Sequence, residues 1–210
     1  MTYLVLIFSA VLAAALTPVT ARVASRSNSI IPWCAVPLSL VISTTLVWSS
    51  NRLFSVNAIF GLGLAVVAAI LAVQVVIDLC VRRLLRELSY AGLLVFVVCA
   101  FFVEPMRADG VRSMVIGAVL MTAIALILLI ASRGALGMGD LHLSPLLGAL
   151  IGWYSPGLVL LAWMITAIAG ALCTSVGLAT KRLSRGAMIP YGPFMVFGTV
   201  TSIAVIAMRA

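Results

Sequence analysis

Only five acidic residues occur in this 210-residue chain: Asp78, Glu87, Glu104, Asp109 and Asp140. Glu87, Glu104 and Asp109 each have arginines within a few residues, so solvated surface charges explain them. Asp78 and Asp140 each adjoin a long apolar run, and an ionisable group at membrane depth usually has a function. These two aspartates are therefore the candidate catalytic pair.

Two carboxyl groups held close together have the chemistry to hydrolyse an amide bond. They cannot both ionise easily, so they share one proton, which belongs to the pair rather than to either residue. The ionised carboxylate draws a proton from water, and the protonated partner donates one to the carbonyl oxygen. The roles then reverse as the amine leaves. An aspartic-type hydrolase needs no metal and no organic cofactor, and we expect neither here.

Each aspartate also has a structural explanation when it is taken alone. Asp78 precedes Arg82 and Arg83, which could form ion pairs with it. Asp140 opens an apolar run and could be the N-cap of a helix. A carboxyl pair near a membrane also fits a small transporter coupled to protons or cations. The residues by themselves leave these alternatives open.

The elements that position the aspartates are predicted to be membrane-spanning helices. Apolar residues make up 64% of the chain and charged residues 9%, with a mean hydropathy of +1.30. About 20 apolar residues in a helix cross a bilayer core. We predict an all-α, polytopic membrane bundle of about eight transmembrane segments, which excludes a soluble domain. The segments lie at about 3–19, 30–48, 56–78, 88–103, 113–132, 141–154, 157–180 and 189–208.

The predicted topology brings the two aspartates to the same side of the membrane. Asp78 ends the third segment and Asp140 begins the sixth, so an even number of crossings separates them. The loops on their side carry more basic residues than the loops on the other side, which places the pair at the cytoplasmic face of the plasma membrane. The basic residues on that side are Arg22, Arg26, Arg82, Arg83, Arg86, Arg133, Lys181, Arg182 and Arg185.

The net charge, the cysteines and a pair of glycines indicate what the chain binds and how its helices pack. A net charge of +8 would favour nucleic acid in a soluble chain, but here the basic residues stand in short loops, so we predict a lipid bilayer and no nucleic acid as partner. The four cysteines form no CxxC pair, which argues against a zinc site. Gly148 and Gly152 form a GxxxG pair, which predicts close packing of two helices. No pattern indicates an oligomeric state.

Three short stretches resemble the type IV prepilin peptidases, a family of GxGD intramembrane aspartic peptidases. Residues 137–143, Gly-Met-Gly-Asp-Leu-His-Leu, are similar to the GxGD motif and the Val-Lys-Leu that follows it in the family. Residues 78–84, Asp-Leu-Cys-Val-Arg-Arg-Leu, resemble the first aspartate segment. Residues 189–194, Ile-Pro-Tyr-Gly-Pro-Phe, resemble the Pro-Phe-Gly-Pro-Phe segment. The three stand in the family's order.

The resemblance implies a domain organisation and a role for several residues. Residues 56–210 would form a six-helix GxGD peptidase core, preceded at 1–55 by two extra transmembrane helices. Asp78 and Asp140 would be the catalytic aspartates. Glycine allows close backbone approach, so Gly137 and Gly139 would let the scissile bond come near the aspartates. The rim of the last helix would be shaped by Pro190, Gly192 and Pro193.

The chain also departs from the family pattern. Leu85 and Arg86 stand where the family has Pro-Asn or Pro-Asp. His142, the one histidine, replaces a lysine and could modulate the charge beside Asp140 with pH. The two CxxC pairs of the family's methyltransferase domain are missing, which implies a form with peptidase activity alone.

The function that the resemblance implies is removal of a short basic leader from type IV prepilins or pseudopilins, with cleavage after a glycine. The substrate's apolar helix would enter from the bilayer with its leader in the cytoplasm. The alternatives are a catalytically inactive relative that helps to assemble pili or secretion machinery, or the proton- or cation-coupled transporter.

Overall fold

The computed structural model describes residues 6–15, 34–53, 58–101, 108–132, 137–181 and 189–209. These ranges contain helices and no strands, which confirms the predicted all-α bundle. Glu104 and several of the predicted loop arginines (Arg22, Arg26, Arg133, Arg182, Arg185) lie outside the described residues. The helices are α1 (Leu6–Ala15), α2 (Ala35–Leu53), α3 (Ala58–Val81), α4 (Arg86–Phe101), α5 (Ala108–Ala131), α6 (Met138–Tyr154), α7 (Leu158–Ala179) and α8 (Gly192–Arg209).

Four of the described helices are long and apolar enough to cross a membrane: α3, α5 from Asp109, α7 and α8. The others are shorter or, like α2, more polar. The serine and threonine hydroxyls of α2 mostly bond to carbonyl oxygens of its own preceding turn, as Thr44 does to Leu40 O at 2.6 Å. A polar side chain satisfied in this way is tolerated at membrane depth. The chain is thus a multi-pass helical membrane protein.

Helices α3 and α6 form the centre of the bundle. Of the apolar span of α3, 78% is buried against other helices, compared with 22% for α5 and 28% for α7. Helix α3 packs on α2, α4 and α8, while α6 packs on α4, α5, α7 and α8. Because both aspartates belong to these two helices, the core of the bundle positions them.

The contact between α5 and α6 is the most extensive of the described helix pairs. Its glycines leave room for backbone only. A Cβ on Gly148 would lie 2.5 Å from the carbonyl oxygen of Gly117, and one on Gly117 would lie 2.6 Å from the Cα of Gly152. The close packing predicted for Gly148 and Gly152 is confirmed. We call Gly117, Gly148 and Gly152 the α5–α6 glycine contact.

Candidate active site

Both aspartates lie at helix ends that meet on one side of the bundle. Helix α3 ends at Val81, so Asp78 stands in its last turn, and α6 begins at Met138, so Asp140 stands in its first. Their side chains are buried, with 5% and 6% of the surface exposed. The N-terminus of α8, at Gly192, lies against Asp78. The expected return of the chain to the same side is observed.

One cavity of about 300 Å³ joins the two aspartates. We call it the aspartate cavity. Its walls come from the end of α3, the start of α6 and the residues before α8. The residues that line it are Asp78, Arg82, Arg83, Leu84, Leu85, Gly137, Met138, Gly139, Asp140, Ile189, Pro190 and Tyr191. Of the residues expected at the site, Pro190, Gly137 and Gly139 are therefore at the cavity, together with both aspartates.

The Asp140 carboxylate is held by the first turn of its own helix. Its Oδ2 accepts a hydrogen bond from the Gly137 N–H at 3.1 Å, and the Asp140 N–H donates to the Gly137 carbonyl at the same distance. The buried Ser144 hydroxyl donates to the Asp140 carbonyl at 2.8 Å. Gly137 occupies the N-cap position, so the alternative that Asp140 is the N-cap is wrong. Asp140 is the third residue of the helix, and the hydrogen bond from its carboxylate back to the N-cap backbone orients the carboxyl group.

Asp78 differs because its Oδ2 is buried and has no hydrogen-bond partner among the described residues. Neither Arg82 nor Arg83 forms an ion pair with it, within the part of the chain that the structure describes; the ion pair found there joins Arg86 to Glu87 at 2.9 Å. The ion-pair explanation of Asp78 is therefore not what the structure contains. A buried oxygen without a partner among the described residues can still accept a hydrogen bond from a bound water or substrate group.

Glycines stand beside both aspartates. A Cβ on Gly192 would lie 2.8 Å from the Asp78 Oδ2, and one on Gly137 would lie 3.2 Å from the Asp140 Oδ2. A Cβ on Gly139 would lie 2.9 Å from the Cβ of Leu84. Side chains at these positions would push the aspartates or Leu84 out of place, so glycine here keeps the geometry of the site.

Residues 65–174 match the type IV leader peptidase family. The chain belongs to this family. The matched segment contains both aspartates and ends before α8, which supplies Gly192. No curated protein and no solved structure matches the chain.

Tyr191 is a wall residue of the site that the sequence reasoning did not single out. It precedes α8, lines the aspartate cavity and stacks on Trp163, with ring centroids 6.4 Å apart. Burial, and secondly the nearby Asp140 charge, raise the pKa of the Tyr191 hydroxyl, so the cavity wall presents a neutral phenol there. Its place inside the 189–194 motif was the signal that could have found it.

Three of the expected residues do not line the cavity: Gly192, which lies against Asp78, Pro193 and His142. Pro193 stands in the first turn of α8 and lines an apolar groove with α2 and α3 instead. His142 is half-buried and faces α4, where its Nδ1 lies 2.8 Å from the Tyr90 hydroxyl. Its suggested influence on Asp140 stays a prediction. Within the described ranges, no three His, Cys, Asp or Glu side chains form a group that could hold a metal ion.

Proposed function

We propose that this protein is an intramembrane aspartic endopeptidase that removes the basic leader from type IV prepilins or pseudopilins, with Asp78 and Asp140 as its catalytic pair. The observation that carries the proposal is the shared cavity: two buried carboxyl groups, both within the segment that matches the leader peptidase family, line one space of about 300 Å³. The Asp78 charge also lies within electrostatic reach of the Asp140 carboxyl group.

The pair would act on a peptide bond laid across the cavity. One carboxylate takes a proton from a water molecule, whose oxygen attacks the carbonyl carbon, while the protonated partner donates to the carbonyl oxygen. Collapse of the tetrahedral intermediate breaks the C–N bond, and the departing amine takes a proton from the pair. The leader leaves with a new carboxyl group, and the mature pilin keeps a new amino terminus.

The differing anchorage of the two carboxyl groups suits this chemistry. Asp140 is fixed by the Gly137 N–H, whereas the Oδ2 of Asp78 has unused hydrogen-bonding capacity. A fixed partner and an unsatisfied one would bind a water or a substrate group between them with little reorganisation, which is how preorganised sites lower a barrier. The neutral phenol of Tyr191 adds a donor to the same wall.

The proposed location is the cytoplasmic face of the plasma membrane. Of the described residues, Arg82, Arg83 and Lys181 follow the ends of α3 and α7, on the same side as the aspartate pair. Basic residues concentrate on the cytoplasmic side of membrane proteins. A prepilin whose leader stays in the cytoplasm and whose apolar helix lies in the bilayer would place its scissile bond at this level.

The test is co-expression with a candidate prepilin from the same genome, followed by mass measurement of the prepilin. We expect the wild type to remove the leader, and Asp78→Asn and Asp140→Asn to leave it attached. Asp109→Asn changes an exposed acid in the first turn of α5 and serves as the matched control that still cleaves. Retention of the leader by a folded, inserted wild type contradicts the peptidase, and cleavage by either active-site variant contradicts the assigned pair.

A further inference from the structure

Helix α3 contains one amide side chain in its apolar span, at Gln74. The side chain is fully buried, although an amide at membrane depth is costly unless both of its ends are bonded. Its Nε2 donates to the Ser89 hydroxyl on α4 at 2.9 Å. Its Oε1 is buried and has no hydrogen-bond partner among the described residues. Gln74 is therefore bonded at one end, and its oxygen lacks a donor.

The contact with Ser89 determines which end of the amide is free. A serine hydroxyl has one proton, and that of Ser89 is donated to the Leu85 carbonyl at 3.5 Å. The Ser89 oxygen therefore accepts from Gln74, which directs the NH₂ group of the amide toward α4 and leaves the oxygen for another neighbour. Leu85 lines the aspartate cavity, so these bonds also join Gln74 to the connection between α3 and α4.

A second oxygen on α3 is in the same condition, the Oδ2 of Asp78, which is buried and has no partner among the described residues. Gln74 precedes Asp78 by one helical turn. Residues four apart in a helix lie on the same face with their Cβ atoms about 5–6 Å apart, and a glutamine and an aspartate at this spacing can form a hydrogen bond. Gln74 does not line the aspartate cavity, so water in the cavity does not supply the missing donor.

One proton can satisfy both oxygens. An amide oxygen only accepts, and a carboxyl oxygen donates only when it is protonated. With a proton on its Oδ2, Asp78 donates to the Gln74 Oε1, and neither oxygen is left without a partner. Asp140 has the opposite surroundings, since the Gly137 N–H donates to its Oδ2 at 3.1 Å and favours the carboxylate.

We propose that Gln74 is a positioning residue, which holds the shared proton of the catalytic pair on Asp78 before substrate binds. The inference rests on the proposed peptidase function and deepens it by assigning the two roles. Asp78 would donate its proton to the substrate carbonyl oxygen, which replaces the Gln74 oxygen as acceptor. Asp140 would take the proton that the attacking water loses, so the pair keeps one proton throughout this step.

The charged and titratable groups that face the pair are those of the aspartate cavity: Asp140, Tyr191, Arg82 and Arg83. The Gly192 N–H also faces the Asp78 carboxyl group, and a protonated carboxyl can accept that bond through its second oxygen. The charges of α2 and α8 stand in the last turns of these helices, at the opposite end of the bundle, and those of α4 pair with each other. His142 bonds to Tyr90. None of these groups donates to the Gln74 Oε1, within the described part of the chain.

The first measurement is the infrared absorption of protonated carboxyl groups as a function of pH, in purified full-length protein in detergent. The part of this signal that Asp78→Asn removes reports the proton on Asp78, and it requires no substrate. Gln74→Met keeps the length of the side chain and removes the acceptor. We expect the signal to be lost at a pH lower by about 0.5–1 unit than in the wild type, which is the effect of one hydrogen bond. The basic limb of the pH profile of kcat/KM for a candidate prepilin should shift equally.

Three further variants sharpen the comparison. Gln74→Glu keeps an acceptor, so the signal and the basic limb should stay at the wild-type pH or move to higher pH. Ser89→Ala frees the amide to turn and should give a smaller shift than Gln74→Met, in the same direction. Thr199→Val is the matched control, because the Thr199 hydroxyl is also fully buried without a partner among the described residues, but on α8, two turns beyond Gly192. It should shift neither pH dependence.

The inference is overturned if Asp78→Asn removes none of the infrared signal, or if Gln74→Met loses it at the wild-type pH or above. A glutamine that only ties α3 to α4 would lower the unfolding temperature on substitution and leave both pH dependences unchanged. If Gln74→Met does not fold, Ser89→Ala decides. Failure of the proposed function looks different, since the infrared shift would appear in a protein that cleaves no prepilin. Cleavage by the wild type with no shift in the Gln74 variants would leave the peptidase standing and remove only this role.

Discussion

Glycines line two regions of the molecule, the α5–α6 glycine contact and the aspartate cavity, but the space beside them is filled differently. In the α5–α6 contact, the Cβ positions of Gly117 and Gly148 are taken by backbone atoms of the facing helix, and that of Gly148 also by the Met121 Cβ. At the aspartate cavity, the Cβ position of Gly139 meets the Cβ and backbone of Leu84, and that of Gly192 meets the Asp78 carboxyl group and the Leu84 methyl groups. About 300 Å³ stays open beside them.

This difference separates stability from activity. Backbone packed on backbone cannot give way without moving a helix, so the α5–α6 contact supports the bundle. A side chain can rotate or be exchanged, so the cavity can be altered while the helices stay in place. Variants in the first region should lose stability, and variants in the second should lose the reaction.

The largest effect should follow substitution of the aspartates themselves. We expect Asp78→Asn and Asp140→Asn each to lower kcat/KM by about 10³-fold or more, since removal of one member of a catalytic unit disables the whole unit. The free energy of unfolding should change by no more than about 1 kcal/mol. The thermal unfolding midpoint in detergent measures this change. If both variants unfolded at low temperature, the aspartates would be needed for the fold. The proposed separation of stability from activity would then be wrong.

The next effect is a loss of stability in the α5–α6 contact. Gly148→Ala places a Cβ 2.5 Å from the Gly117 carbonyl oxygen, so the helices must separate, at a cost of about 1–3 kcal/mol. Gly157→Ala is the matched control, because its Cβ would meet only the Ser155 hydroxyl at 3.7 Å and its φ of −63° suits any residue. Thermal unfolding in detergent measures both. Equal midpoints for the two variants would show that the contact is not tight.

The sequence was sufficient to predict the helices and the meeting of the aspartates. Long apolar runs identify buried helices whatever their exact ends, and the return of Asp140 to the side of Asp78 depends only on how many helices lie between them. The ends themselves were less certain. Helix α5 begins at Ala108 rather than near 113, because its first turn contains Asp109 and Arg112, which an apolar pattern excludes. Asp109, expected in a loop, is an exposed residue of that turn.

The walls of the site could not be predicted in the same way. Leu84 reaches the cavity because Arg82 adopts a positive φ, and nothing in an arginine indicates that conformation. Pro193 and Tyr191 are neighbours in one motif, yet Tyr191 lines the aspartate cavity and Pro193 lines the groove toward α2. The direction of each side chain depends on where α8 begins, and residue type alone does not determine it.

A smaller effect on the reaction should come from Gly192→Ala. The added methyl group would lie 2.8 Å from the Asp78 Oδ2, so the carboxyl group must rotate away. A displacement of this size in a catalytic group costs about 10–100-fold in kcat. Gly170→Ala, on α7, is the control, since its Cβ would make ordinary contacts with Tyr191 and Phe194 at 3.6 and 3.9 Å. The comparison fails if kcat is the same in the two variants, or if Gly192→Ala loses the fold.

The smallest effect should come from the edge of the site, at His142. Its ring bonds to Tyr90 on α4 and does not line the aspartate cavity, so His142→Asn and Tyr90→Phe should each change kcat/KM by about twofold or less. The pH profile of kcat/KM is the sharper measurement. A cation beside a carboxyl pair favours the ionised form, so if His142 acted on Asp140, its removal would shift the acidic limb to higher pH. We expect a shift below about 0.4 pH units, because the imidazole lies at the edge of the bundle, outside the aspartate cavity. A larger shift in His142→Asn would show that the catalytic region includes the contact between α4 and α6, outside the aspartate cavity.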